Sequence, residues 1–158
     1  MISCITNTDN DFFDETENQL CSNLTILHLI CAFDQTYLLK HFLLYYGLAA
    51  VSRITTISKQ TLIHICAWYG SNTCLALLMR NGISIEDKNN QGQLPLHLAA
   101  FTGNNISLQT LLKEMDNPNV TDLDGNSALH IAVIHDKLQC TDDLLKFENV
   151  CFKIFFFC

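Results

Sequence analysis

The chain has 158 residues, 49% of them hydrophobic and 16% charged, and a formal net charge of −7. That suits one domain of ordinary size with a buried core. The acid excess leaves out the Lys/Arg footprint that direct nucleic-acid binding requires, so a basic protein surface is the more natural partner.

Residues 1–20 hold Asp9, Asp11, Asp14, Glu15 and Glu17 with no Lys or Arg. They are polar and aperiodic, and a mobile acidic arm is expected there. They lack the basic start and apolar run of a signal peptide. No stretch of the chain approaches the roughly 20 apolar residues of a membrane span. The expectation is a cytoplasmic protein, with the nucleus as its second compartment.

From residue 21 to residue 147 the pattern turns helical and repeats. His28, His64, His97 and His130 are spaced 36, 33 and 33 residues apart. Each closes one short phrase: Thr25-Ile26-Leu27-His28, Thr61-Leu62-Ile63-His64, Leu94-Pro95-Leu96-His97 and Ser127-Ala128-Leu129-His130. Such a period marks a solenoid of small stacked units. The units run over about 21–58, 59–91, 92–124 and 125–147.

Each phrase opens a short apolar helix. A Thr or Ser hydroxyl can cap the free N–H groups at its start, and Pro95 suits a first helical position. A turn is expected at Asp34, Gly70, Gly103 and Asp136. Second helices are expected over Tyr37 to Tyr46, Thr73 to Arg80, Ile106 to Glu114, and Leu138 to Phe147. Polar connections follow, over Ile83 to Gly92, Asp116 to Gly125 and, less typically, Leu48 to Lys59. Gly92 and Gly125 stand five residues before a repeated His, where a hairpin turn needs positive φ. Asn23 tolerates that geometry in repeat one; Lys59 tolerates it less well in repeat two.

The two ends of the stack differ from its middle. The second helix of repeat one, Tyr37-Leu38-Leu39-Lys40-His41-Phe42-Leu43-Leu44-Tyr45-Tyr46, is apolar enough to be an aggregation risk if exposed. Residues 10–20, with Phe12 and Phe13, are one candidate cover. Residues 148–158 form an apolar tail with two open readings: packing on repeat four, or the product of a truncated reading frame in a longer protein.

The eight cysteines lack the C-x-x-C spacing of a zinc site. Cys31 and Cys66 hold equivalent places in the repeat and read as small buried apolar residues; a disulfide framework would instead imply a secreted chain. Three N-x-S/T sequons, at Asn23, Asn105 and Asn119, go unused in a cytosolic chain. There is no phosphate loop and no nucleophile elbow. No catalytic residue, metal site or cofactor is expected. Adjacent helix layers sit about 10 Å apart, so the histidines are too far apart to share one zinc.

These residues resemble the ankyrin repeat, D-x-x-G-x-T-P-L-H-x-A-A-x-x-G followed by a helix ending L-L-x-x-G-A-D-x-N. Repeat three carries Gly92, Pro95, Leu96, His97, Ala99, Ala100 and Gly103 in place. Repeat four carries Asp122, Gly125, Ser127, Leu129, His130 and Ala132. The departures are Leu94 for the capping Thr, Met115 for a turn Gly, and three extra residues in repeat one. The resemblance implies an all-α fold, a solenoid of four helix-turn-helix repeats with hairpin loops. It also implies that each His ties backbone between neighbouring repeats.

In that pattern the residues four and five past the His face a concave groove. Here they give Phe33, Trp68 with Tyr69, Phe101 with Thr102, and Ile134 with His135. The hairpin tips add Ile57, Ser58, Asn90, Gln91, Leu123 and Asp124, and the positions after them Gln60, Gln93 and Asn126. Aromatic and amide side chains in this arrangement suit a protein interface more than an electrostatic one. Trp68 and Tyr69 lie about 100° apart on one helix, so at least one should face the groove. Asn119 matches the hairpin Asn that asparaginyl hydroxylases can modify in the family.

The expected function is a monomeric, non-enzymatic scaffold that binds a protein through groove and tips. Two forms fit that expectation: a generic adaptor, or a fragment of a larger multidomain chain. A second reading follows a resemblance to I-kappa-B-like inhibitors, in particular short virus-encoded mimics, which would make the partner a Rel/NF-kappa-B dimer. No Asp-Ser-Gly-x-x-Ser degron stands in residues 1–20. A third reading is the regulatory module of an enzyme.

Overall fold

The computed structural model describes residues 25–147. The expected arm over 1–20, the tail over 148–158 and the Asn23 turn lie outside the described residues. Nine helices follow in chain order among those described: α1 (Ile26–Ala32), α2 (Thr36–Tyr46), α3 (Leu48–Val51), α4 (Leu62–Tyr69), α5 (Asn72–Arg80), α6 (Pro95–Thr102), α7 (Asn105–Glu114), α8 (Ala128–Ile134) and α9 (Leu138–Lys146). Apart from isolated bridges at Thr55–Thr61 and Thr121–Ser127, no strand pairing interrupts them.

The first helices of the repeats have seven or eight residues. Isolated helices that short are unstable in water, so packing must hold them. In α4 and α6 the first six residues, Leu62 to Ala67 and Pro95 to Ala100, are all buried. That matches helices apolar on every side. One layer runs α1, α4, α6, α8, and a second runs α2, α5, α7, α9, with each second helix packed back on its own first helix. Leu27, Leu39, Leu62, Leu75, Leu78, Leu96, Leu108, Leu111, Leu129 and Leu144 join the layers into one continuous core. The fold is therefore an all-α repeat solenoid. A single repeat could not bury both of its apolar faces alone.

Left-handed backbone marks every helix-to-helix turn. Asp34, Gly70, Gly103 and Asp136 have φ of 53°, 72°, 83° and 54°. The hairpin position behaves alike, with Lys59 at 58°, Gly92 at 73° and Gly125 at 80°. Lysine thus adopts the geometry that glycine supplies elsewhere, at a steric cost to its Cβ.

The connection expected over Leu48 to Lys59 is corrected in its first half. Gly47, at φ 76°, ends α2, and the chain then winds the single turn α3. Val51 is buried under repeat one and holds that turn in place. The extra length of repeat one is absorbed there.

Candidate protein-binding face

The repeated histidines do structural work. In three repeats the backbone N–H of the residue three before the His donates to its Nδ1: Thr61 at 3.2 Å, Leu94 at 3.0 Å and Ser127 at 3.1 Å. Thr25 does the same for His28 at 3.1 Å. The His thus fills the capping-box place usually held by Glu or Gln. Leu94 has no hydroxyl, so repeat three keeps only this half of the box.

With Nδ1 accepting, the ring proton belongs on Nε2. His64 Nε2 donates to the Gln93 carbonyl and His97 Nε2 to the Val120 carbonyl, both at 3.0 Å. Each bond ties a first helix to the next hairpin. His28 approaches the Gln60 backbone more loosely, and its Nε2 makes no hydrogen bond among the described residues. Burial pulls the pKa of His28 and His64 down from 6.5 to about 4, partly offset by those backbone contacts. His97 is lowered by burial too, against the pull of the Val120 carbonyl.

Hairpins sit beside the first helices and have one geometry. Thr56, Asn89 and Asp122 each donate N–H to the carbonyl four residues on, Gln60, Gln93 and Asn126, at 3.0, 3.0 and 2.9 Å. Their side chains complete the loops: Thr56 Oγ1 accepts from Gln60 N–H, Asn89 Oδ1 from Gln91 and Gln93, and Asp122 Oδ1 from Asp124 and Asn126. Neighbouring tips are linked, Asn90 N–H to the Ser58 carbonyl and Leu123 N–H to the Gln91 carbonyl, each at 3.0 Å. The tips therefore form one braced edge.

Aromatic side chains line the ends of the first helices. The Trp68 and Phe101 rings stack at 5.1 Å between centroids, 20° from parallel. Phe101 meets His135 at 4.1 Å. Repeats two, three and four thus share one aromatic row. Asn104 sets its backbone: Nδ2 donates to the carbonyls of Ala67 and Trp68 at 2.9 and 2.6 Å. Ser71 Oγ likewise donates to the Ala32 carbonyl at 3.1 Å.

The expected contact residues separate by exposure. Phe33, Ile57, Leu123 and Ile134 are 63%, 60%, 77% and 65% exposed. Asn90, Gln91, Asp124 and His135 are exposed as well. Trp68, Tyr69, Phe101, Thr102, Ser58, Gln93 and Asn126 are half-buried. Tyr69 and Phe101 pack against the core, while Trp68 lies along the row. Some are partly spent internally: Asn90 Nδ2 donates to the Ile57 carbonyl, and Asn89 Nδ2 to Gln93 Oε1. Gln60 is the correction. Only 2% of it is exposed, because it lies where repeat two closes over His28, and it offers no contact surface.

Two features of the face had weaker sequence signals. Val133 is 48% exposed beside Ile134, on a helix already marked apolar. The row also shifts register in repeat four, where His135 and not Ile134 meets Phe101. Helix α8 ends at Ile134, one residue earlier relative to its His than α4 or α6. Asp136 then turns left-handed where those repeats have glycine.

The ring nitrogens committed to backbone leave little for a metal, and no group of three or more His, Cys, Asp or Glu among the described residues is arranged to hold one. No described helix is long and apolar enough to cross a membrane.

A family model described as ankyrin repeats, in three copies, matches residues 63–153. Among known proteins, the chain is 29% identical over 143 residues to the Caenorhabditis elegans poly [ADP-ribose] polymerase tankyrase, covering 78% of this chain and 6% of that protein. It is 35% identical over 78 residues to human SH3 and multiple ankyrin repeat domains protein 2, covering 49% and 4%. It is 36% identical over 103 residues to mouse Rabankyrin-5, covering 58% and 9%. The chain thus spans less than a tenth of the length of each of these relatives.

Proposed function

Because the chain belongs to the ankyrin-repeat family, whose repeats are generic protein-interaction modules, we propose that it binds a protein partner through the face built by its hairpin tips and first helices. The observation that carries this reading is the Trp68–Phe101–His135 row across three repeats. Beside it stand Phe33 and Ile134, exposed large apolar side chains at the matching positions. Aromatic side chains on a rigid support lose little entropy on binding and are enriched where binding energy concentrates. The tips add amides and the apolar Ile57 and Leu123. The partner surface that fits is apolar at its centre with hydrogen-bonding groups around it. No catalytic constellation enters this function; a polymerase activity such as tankyrase's name carries belongs to that much longer protein.

A second reading, sequestration of a Rel/NF-kappa-B dimer in cytoplasm or nucleus, uses the same face. The acidic net charge of −7 favours it, since a DNA-binding partner is basic. A Rel dimer is therefore the first purified bait.

The test titrates a captured, purified partner with the wild-type chain, a Phe33→Ala, Trp68→Ala variant, and Lys113→Ala on the outer helix α7. Loss of about 2 kcal/mol, roughly 30-fold in Kd, is expected for the groove variant only. Equal affinity across all three, with folding intact, overturns the assignment.

A further inference from the structure

A second surface lies on the other layer of the solenoid, away from groove and tips. On α2, Tyr37, Leu44 and Tyr45 are 74%, 86% and 81% exposed. At 100° per residue they share the outward side with Lys40 and His41. The rings are held in place: Tyr37 meets His41 edge-on at 5.6 Å, Tyr45 meets Tyr46 at 4.8 Å, and Phe42 stacks on Tyr46 at 5.5 Å. Soluble chains rarely leave so contiguous an apolar face without a partner.

Charge selects what covers it. Between Asp34 and Glu86 the chain carries Lys40, Arg53, Lys59 and Arg80 and no carboxylate. Residues 9–17 carry five carboxylates, Asp9, Asp11, Asp14, Glu15 and Glu17, and no cation, with Phe12 and Phe13 among them. The apolar and charged patterns of the two segments complement each other. The other apolar segment of the chain, residues 148–158, carries one acid and one base, Glu148 and Lys153, so it lacks that acid excess, and it follows repeat four at the far end of the stack.

Geometry permits the contact. Helix α2 packs back on α1, so Thr25, at the start of α1, lies beside the C-terminal half of α2, where Leu44 and Tyr45 sit. The eight residues from Glu17 to Thr25 span up to about 27 Å. Helix α2 is only about 16 Å long. A tethered segment also acts at an effective concentration near ~1 mM, so a weak site is enough to hold it.

We propose that the outward face of α2 is the docking site for residues 9–17 of the same chain, with Phe12 and Phe13 against Tyr37, Leu44 and Tyr45 and the carboxylates beside Lys40. The contact screens repeat one and is separate from the groove, so the two readings fail independently.

Zero-length carbodiimide cross-linking of the dilute full chain, followed by peptide mapping of the monomer band, tests this. Lys40 is expected to join a carboxylate of residues 9–17 at least fivefold more than Lys113 or Lys146 does. The Phe12→Ser, Phe13→Ser variant, altered outside the described residues, should lose that excess at unchanged melting temperature. Absence of the Lys40 link, equal yields at all three lysines, or retention of the excess in the variant overturns the proposal. A link found only in the dimer band also overturns it and gives the face to a second copy.

Discussion

Acidification to pH 5 should weaken this fold through its buried histidines. His28 and His64 are buried neutral, with pKa lowered from 6.5 to about 4. The unfolded chain therefore binds more protons between those values, and stability rises with pH. The contribution is complete above about pH 6.5 and is lost as pH falls toward about 4. Between pH 7 and pH 5 each imidazole should cost about 2 kcal/mol, and the pair about 4 kcal/mol. His97, shifted the same way, adds to it. For a domain stable by ~5–15 kcal/mol that is a large share. Protonation also puts a hydrogen on Nδ1, where the capping N–H of Thr61 or Thr25 now donates. Urea unfolding followed by helical circular dichroism reads the effect; at a slope of ~2 kcal/mol per molar, the midpoint should fall by about 2 M. His64→Gln should be less stable at pH 7 and lose about 2 kcal/mol of the pH dependence. Equal midpoints at pH 7 and pH 5, or an unchanged pH dependence in His64→Gln, would refute the reasoning.

Four further outcomes are expected. Lys59→Gly should raise stability by about 0.5–1 kcal/mol by relieving left-handed lysine backbone. Gly92→Ala should cost about 2 kcal/mol, because its Cβ would meet the Leu123 backbone nitrogen at 3.0 Å on a φ of 73°; thermal melts check both. Asn104→Ala should cost about 1–2 kcal/mol by stranding the Ala67 and Trp68 carbonyls, read by urea unfolding. Cys31, Cys66, Cys74 and Cys140, all at or below 1% exposure, should escape iodoacetamide at pH 8 until urea unfolds the chain. The hydrogen bond with Cys66 also raises the Cys31 thiol pKa, that with Cys31 raises Cys74, and burial raises Cys140. Thiolate is the reactive form, and native labelling of these four by peptide mapping would contradict the account.

The repeat architecture was legible because its constraints are local and recur. A capping His, a left-handed turn residue and a Leu-rich second helix each leave a residue type at a fixed offset. Asp34 and Asp136 could be placed at turns because aspartate tolerates positive φ. Helix α3 was hidden: Leu48–Val51 has no capping residue, and its single turn depends on Gly47 and on tertiary burial of Val51. Gln60 looked like its counterparts Gln93 and Asn126, yet its enclosure depends on how repeat two meets repeat one. The Trp68–Phe101 contact followed from residues 33 apart, whereas His135 joined the row through the early end of α8, a geometric detail with no residue-level mark.

The groove assignment also fits the energetics of the stack. Two of the three expected aromatics of the middle repeats, Tyr69 and Phe101, contribute to the core as well as to the face. Truncating them mixes folding with binding, whereas Phe33 and Trp68 separate the two. Asn104 matters to both, since it fixes the backbone under Trp68 while joining repeats.

Amide hydrogen exchange of the chain free and bound to its purified partner tests the central claim most directly. Protection is expected at the tips, residues 56–60, 89–93 and 122–126, and at the first-helix ends around Phe33, Trp68, Phe101 and His135. The outer helices α5, α7 and α9 should exchange as before. Protection confined to those outer helices, with tips and aromatic row unchanged, would contradict the account.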